Sequence, residues 1–104
     1  AELMRVLIDE HDLNWNEAWD ITRATISFTN HTLMPEALEK WSLSLFGHVL
    51  PRHLQIIYLI NWHHLEDATR RGLTDPEFVA NISLIDEGGD RSIRLAHLAF
   101  IGSH

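Results

Sequence analysis

Apolar positions in this chain recur at helical spacing along most of its length. Leu3, Met4, Leu7 and Ile8 stand three and four apart, and Trp15, Ala18, Trp19, Thr22 and Ile26 repeat the spacing, so each set shares one face of a helix. Asn14 with Glu17 three residues later is a capping pair. The Asn side chain accepts from free N–H groups of the first turn while the Glu reaches back. A helix is predicted to follow, with both indoles in the core. Thr25-Ile26-Ser27-Phe28-Thr29 is β-branched and aromatic, which predicts a short strand near Phe28 leading into Asn30-His31-Thr32.

Pro35 suits the first turn of a short helix through Glu36-Ala37-Leu38-Glu39, where its missing N–H costs nothing. Ser42 is placed to cap another through Leu43-Ser44-Leu45-Phe46. Pro51 opens the longest predicted helix, Pro51 to Thr69, in which Ile56-Ile57-Tyr58-Leu59-Ile60 is apolar on every side and calls for neighbours all round. Gly72 ends it, and Thr74-Asp75-Pro76-Glu77 carries the cap, first-turn Pro and acidic residue of one more. Residues 82–86 and 91–93, joined across Glu87-Gly88-Gly89-Asp90, predict a β-hairpin with a glycine turn. Leu95 to Ile101 is apolar at nearly every position. Periodicity does not separate a buried helix from a buried strand there, but Ala96, Leu98 and Ala99 favour helix. The expected fold class is mainly α, with one short strand and a β-hairpin.

The 104 residues, 45% of them hydrophobic, form a single segment, 1–104, with no repeat, linker or low-complexity stretch. A formal net charge of −7 and eight basic residues scattered from Arg5 to Arg94 argue against a nucleic-acid partner, which needs clustered cations. No apolar run approaches the roughly 20 residues that span a bilayer, so no membrane partner is expected. With no cysteine the chain suits a reducing compartment, and the cytoplasm is expected. Neither end has the pattern of a native terminus. No cap precedes the first helical positions, and an apolar run stands close to the last residue. The chain reads as an excised segment.

Eight histidines raise the question of a metal. His63 and His64 point about 100° apart on a helix, His48 and His53 are separated by Pro51, and only His63 with Glu66 has usable spacing. No metal is expected. There is no Gly-x-Ser-x-Gly nucleophile motif, and Gly88-Gly89 lacks the spacing of a phosphate-cradling loop. Glu36 and Glu39 share a helix face, which charge complementation at a helix start explains without chemistry. His31, between Asn30 and Thr32 at an expected strand end, is the histidine best placed to meet a ligand, because imidazole donates to or accepts from a hydroxyl.

Several blocks resemble the α-glucan phosphorylases: residues 2–7, Trp15-Asn16-Glu17-Ala18-Trp19, Thr29 through Trp41 with its Asn30-His31-Thr32 core, Leu50 through Tyr58, Ser83-Leu84-Ile85, and Leu95-Ala96-His97-Leu98-Ala99 followed by Gly102-Ser103-His104. They come in the family's order and cover nearly the whole chain. The resemblance implies an incomplete part of the N-terminal domain of a larger α/β, glycosyltransferase-B-type enzyme. Such enzymes use phosphate to release glucose 1-phosphate from α-1,4-glucans such as glycogen or maltodextrin, with pyridoxal 5′-phosphate as cofactor and typically as homodimers.

By the same resemblance His31 contacts the 6-hydroxyl of the glucosyl unit, Asn30 and Thr32 shape its turn, and Glu36 and Glu39 border the sugar. No catalytic, cofactor-binding or metal-binding residue is carried over. Lys40 does not match the cofactor lysine, so this stretch alone is expected to be inactive and to depend on the missing remainder of the chain. Ser42 stands where Pro is usual, Leu59 where an acidic residue is common, and Trp62-His63-His64 is unusual. These departures argue against a second glucan site on the long helix. The alternative is a stand-alone helical glucan-binding or protein-interaction module.

Overall fold

The capping signals set the helix boundaries. In the computed structural model, which describes residues 1–29 and 39–103, Asn14 Oδ1 accepts from Glu17 N at 2.9 Å and its amide donates to Glu17 Oε1 at 2.7 Å. The helix that follows, α2, runs over Trp15–Thr25. Before it lies α1, Glu2–Arg5, which widens into a π-helical turn over Val6–Glu10. Ser42 caps α3, Leu43–Val49, by accepting from Leu45 N, and Pro51 occupies the first turn of α4, Pro51–Arg70. Gly72, at φ +80°, turns the chain out of α4 in a conformation costly to any residue with a Cβ. Asp75 then caps α5, Pro76–Ile82. Leu95–Ile101 is helical as expected and forms α6.

Three short strands form one antiparallel sheet in the order β1-β3-β2: Lys40–Ser42, Ser92–Arg94 and Ile85–Asp86. The predicted hairpin is β2–β3, with Ile85 opposite Ile93 and Asp86 opposite Ser92. The expected strand near Phe28 is absent. Ile26 is extended, at φ −98° and ψ 133°, as β-branching favours, but residues 26–29 pair with no strand. A strand needs a partner, and both edges of β3 are occupied, one by β2 and the other by Lys40–Ser42. The helix expected to start at Pro35 lies outside the described residues except for Glu39, which is not helical.

α4 stands between two apolar clusters. Ile56 and Ile60 join Met4, Ala18 and Leu84, while Ile57 joins Ile85 and Ile93 under the sheet. Only part of the isoleucine-rich stretch finds cover, since Tyr58 and Leu59 are exposed. On α2 the buried positions are Ala18 and Thr22, whose hydroxyl donates to Met4 Sδ at 3.2 Å. The indoles expected in the core flank it instead, half-buried, and Ile26 is exposed. Small residues at 18 and 22 let α2 approach α1 closely, which leaves the bulky rings to either side.

Polar groups complete the packing. Asn61 Oδ1 accepts from Leu84 N at 2.9 Å, and its amide donates to Ser83 Oγ at 3.2 Å, so α4 holds the start of the hairpin. Arg94 donates to the carbonyls of Ala80, Asn81 and Ser83 at 2.9 to 3.1 Å, which satisfies acceptors at and beyond the end of α5.

Candidate functional site

The three residues predicted to contact substrate, Asn30, His31 and Thr32, lie outside the described residues, as does Glu36. What is described is the ground on either side of them. On one side the chain leaves α2 at Thr25, whose hydroxyl returns to Ile21 O at 2.6 Å. On the other it enters β1. Glu39 O accepts from Leu95 N at 3.3 Å, and the Glu39 carboxylate accepts from Trp41 Nε1 at 2.7 Å. The side chain of Glu39, one of the two acids expected to border a sugar, is therefore engaged by an indole.

Lys40 lies at one edge of the sheet and Asp86 at the other, yet Lys40 Nζ reaches Asp86 Oδ2 at 2.9 Å. Asp86 also accepts from Gly88 N at 3.0 Å and faces Arg94 Nη2 at 3.7 Å. The Lys40 ammonium first, then the Gly88 N–H, hold the Asp86 carboxyl down at about 2, from an ordinary value of 3.8. Because the folded state releases this proton more readily than the unfolded chain, the pair contributes stability fully above pH 3.8 and loses it as pH falls through about 2. Replacing Asp86 with Asn should flatten the fall of Tm over that acid range. Parallel acid profiles for the two proteins would mean that the pair does not form in solution.

A second set of charges ties α1 to α4. Arg52 grips Asp9 with two hydrogen bonds, at 2.9 and 2.7 Å, and His53 Nε2 meets Glu2, which is also held by Arg5. Arg5, then His53, bring the Glu2 carboxyl down to about 2. Arg52 likewise lowers Asp9. On α6, burial first and the charges of Arg94, His64 and Lys40 after it push His97 below the usual imidazole range.

Concavities also open among the described residues. A cleft of about 650 Å³ is lined by Trp15, Trp19, His63, Arg70, Phe100 and Ser103 among others. Here Trp15 stacks on His63 with ring centroids 4.8 Å apart and lies near-parallel to Trp19 at 6.3 Å. His63, the histidine with usable metal spacing to Glu66, is thus engaged in an aromatic stack. A shallower groove along α4 exposes Tyr58, Leu59 and Trp62 beside Gln55. Arg91 donates to the Tyr58 hydroxyl at 3.1 Å and pairs with Glu87 at 2.8 Å.

Pyridoxal phosphate needs a lysine amine free to condense with its aldehyde inside an enclosed pocket. Lys40 is the sole lysine in the sequence, and its ammonium is half-exposed on the sheet and bound to a carboxylate. The residues present do not fit a site for this cofactor. Sequence reasoning found no part of the Lys40–Asp86–Arg94 network. Asp86 and Arg94 stand on the β2–β3 hairpin, but Lys40 lies 46 residues from Asp86, and only the pairing of β1 with β3 brings it to them.

Compared with known proteins, the chain matches the carbohydrate phosphorylase family model over residues 1–104. It is 58% identical over 104 residues to the glycogen phosphorylase of Synechocystis sp., covering all of this chain and 12% of that protein. It is 54% identical over 105 residues to the glycogen phosphorylase of Saccharomyces cerevisiae, with the same coverage. Against the brain form of glycogen phosphorylase from Homo sapiens it is 48% identical over 103 residues, 99% of this chain and 12% of that protein. The chain spans about 12% of the length of these curated relatives.

Proposed function

Since the chain belongs to the carbohydrate phosphorylase family, we propose that it is a segment of an α-1,4-glucan phosphorylase and forms part of the wall of its glucosyl site. The observation that carries this reading is the family match across all 104 residues, at 48 to 58% identity to glycogen phosphorylases. Orthophosphate would attack C1 of the terminal glucosyl unit. The bond from C1 to the glucan O4 breaks, a C1–O–P bond forms, and the released O4 takes a proton. The products are glucose 1-phosphate and a glucan one unit shorter.

In this reading His31 offers a ring nitrogen to a sugar hydroxyl, with Asn30 and Thr32 beside it. The chemistry of the two phosphates, including that of the pyridoxal 5′-phosphate proposed for the parent, lies with residues outside this segment. The parent is proposed to be a cytoplasmic homodimer, and this stretch to belong to its N-terminal catalytic domain. A stand-alone binding module would not by itself call for such close identity over the whole chain.

The test is phosphorolysis. The full-length protein, incubated with maltodextrin and orthophosphate, should release glucose 1-phosphate and release none when orthophosphate is omitted. The 104-residue chain should release none even with pyridoxal phosphate added. Failure of the full-length protein would overturn the assignment, and turnover by the pure segment would overturn its incompleteness.

A further inference from the structure

We infer that the cleft between α2, α4 and α6 seats the stretch of the parent chain that follows His104, which lays an apolar side chain against Phe100 and a carboxylate against Arg70. The inference rests on the proposed reading of the chain as a segment of a longer parent, since it spans about 12% of the length of its curated relatives.

Phe100 is the most exposed large hydrophobic side chain among the described residues, at 74%. One exposed ring is ordinary. This one opens onto a concavity of about 650 Å³ shared with Phe28, Trp15 and Trp19, and Phe28 is itself 38% exposed. The indoles pack part of their surface against the cluster of Met4 and Ile56 and leave the rest to the cleft. An apolar surface gathered in this way from separate elements marks a contact that the described residues do not complete.

The charges give the occupant its sign. Arg23, Arg70 and Arg71 line the cleft beside a single carboxylate, Asp67, in a chain whose formal net charge is −7. Asp67 pairs with Arg71 at 3.2 Å, and the Arg70 side chain has no ion pair or hydrogen bond among the described residues. Aromatic and cationic walls together select a segment that carries both an apolar side chain and an acid.

Continuity selects which segment. Ser103 lines the cleft and is buried, and its hydroxyl donates to Phe100 O at 3.1 Å. The continuing chain therefore starts from within the cleft and meets its walls at high effective concentration, with little loop-closure entropy to overcome. A remote segment of the parent or a second copy lacks that advantage.

The experiment is photo-crosslinking in the full-length protein with p-benzoylphenylalanine in place of Phe100. Light links the ring to whatever lies against it, and digestion followed by mass spectrometry identifies the peptide joined. The expected product is a link within one chain to the stretch that directly follows His104. A link to a distant part of the chain, a link between two chains that doubles the mass on a denaturing gel, or no link at all overturns the inference. Should that variant not fold, Arg70→Lys places an amine at the same rim. Carbodiimide is then expected to couple it to an Asp or Glu of that stretch, and coupling to Asp67 alone, to any other part, or to nothing overturns the inference. Neither readout uses glucan or orthophosphate. A protein that links as expected but releases no glucose 1-phosphate refutes the enzymatic reading and leaves the docking in place, whereas an active protein that links elsewhere refutes the docking alone.

Discussion

Replacing His31 with alanine in the full-length enzyme should lower kcat/KM for glucan phosphorolysis by about 100-fold, the largest functional effect expected from any residue of this segment. The estimate follows from what the side chain would do. A hydrogen bond to a substrate hydroxyl in a closed site is made at the expense of water. Deleting one partner leaves the other unpaired, at a cost of about 1 to 3 kcal/mol, or roughly 5- to 150-fold. His31→Asn keeps a donor and an acceptor on a shorter arm and should lose less. Initial rates over a maltodextrin series, with Tm measured on each variant, decide the matter. A change below about threefold with normal folding would remove His31 from the substrate-binding wall and leave the family assignment untouched.

The second large effect is on stability. Leu84→Ala should destabilise the chain by about 2 to 5 kcal/mol, whereas Leu59→Ala, on the same apolar count, should cost less than about 1 kcal/mol. Leu84 is fully buried among Met4, Ala18, Ile56 and Ile60, while Leu59 is 43% exposed. The hole left at residue 84 cannot easily close, because the Leu84 amide is held by Asn61 and the residue before it by the same side chain. Urea denaturation followed by tryptophan fluorescence gives both values, with midpoints shifting at constant slope. Equal losses at the two positions would mean that α4 turns another face to the core.

These two leucines also mark where the sequence becomes silent. The stretch Ile56 to Ile60 is apolar on all sides, and nothing in its pattern distinguishes Ile57, buried under the sheet, from Leu59, exposed. The two indoles on α2 were expected in the core because they share a helical face with Ala18 and Thr22. Close approach of α1 selected the two small residues and left the rings at the margin. Near Phe28 the residues have the composition of a strand, and the strand formed instead at Lys40–Ser42, where β3 had an edge to offer. His31 was legible through its setting and through a family resemblance. It lies outside the described residues, and the Lys40–Asp86 ion pair left no local signal.

Local sequence was enough for the starts of α2, α3, α4 and α5, for the end of α4, and for the family. Asn14, Ser42, Pro51, Gly72 and the Asp75-Pro76 pair act within a turn of where they stand, so their effect is written in adjacent residues. The hairpin belongs with them, since its two strands are joined by a short glycine turn. Tertiary structure decided the rest: which side of α4 is covered, the order β1-β3-β2, the tie of the π-helical turn to α4 through Asp9 and Arg52, and the reach of Lys40 across the sheet to Asp86. Each of these joins residues more than forty positions apart or chooses among equally apolar neighbours. That choice is made by the shape and free edges of the partner element, which no local pattern contains.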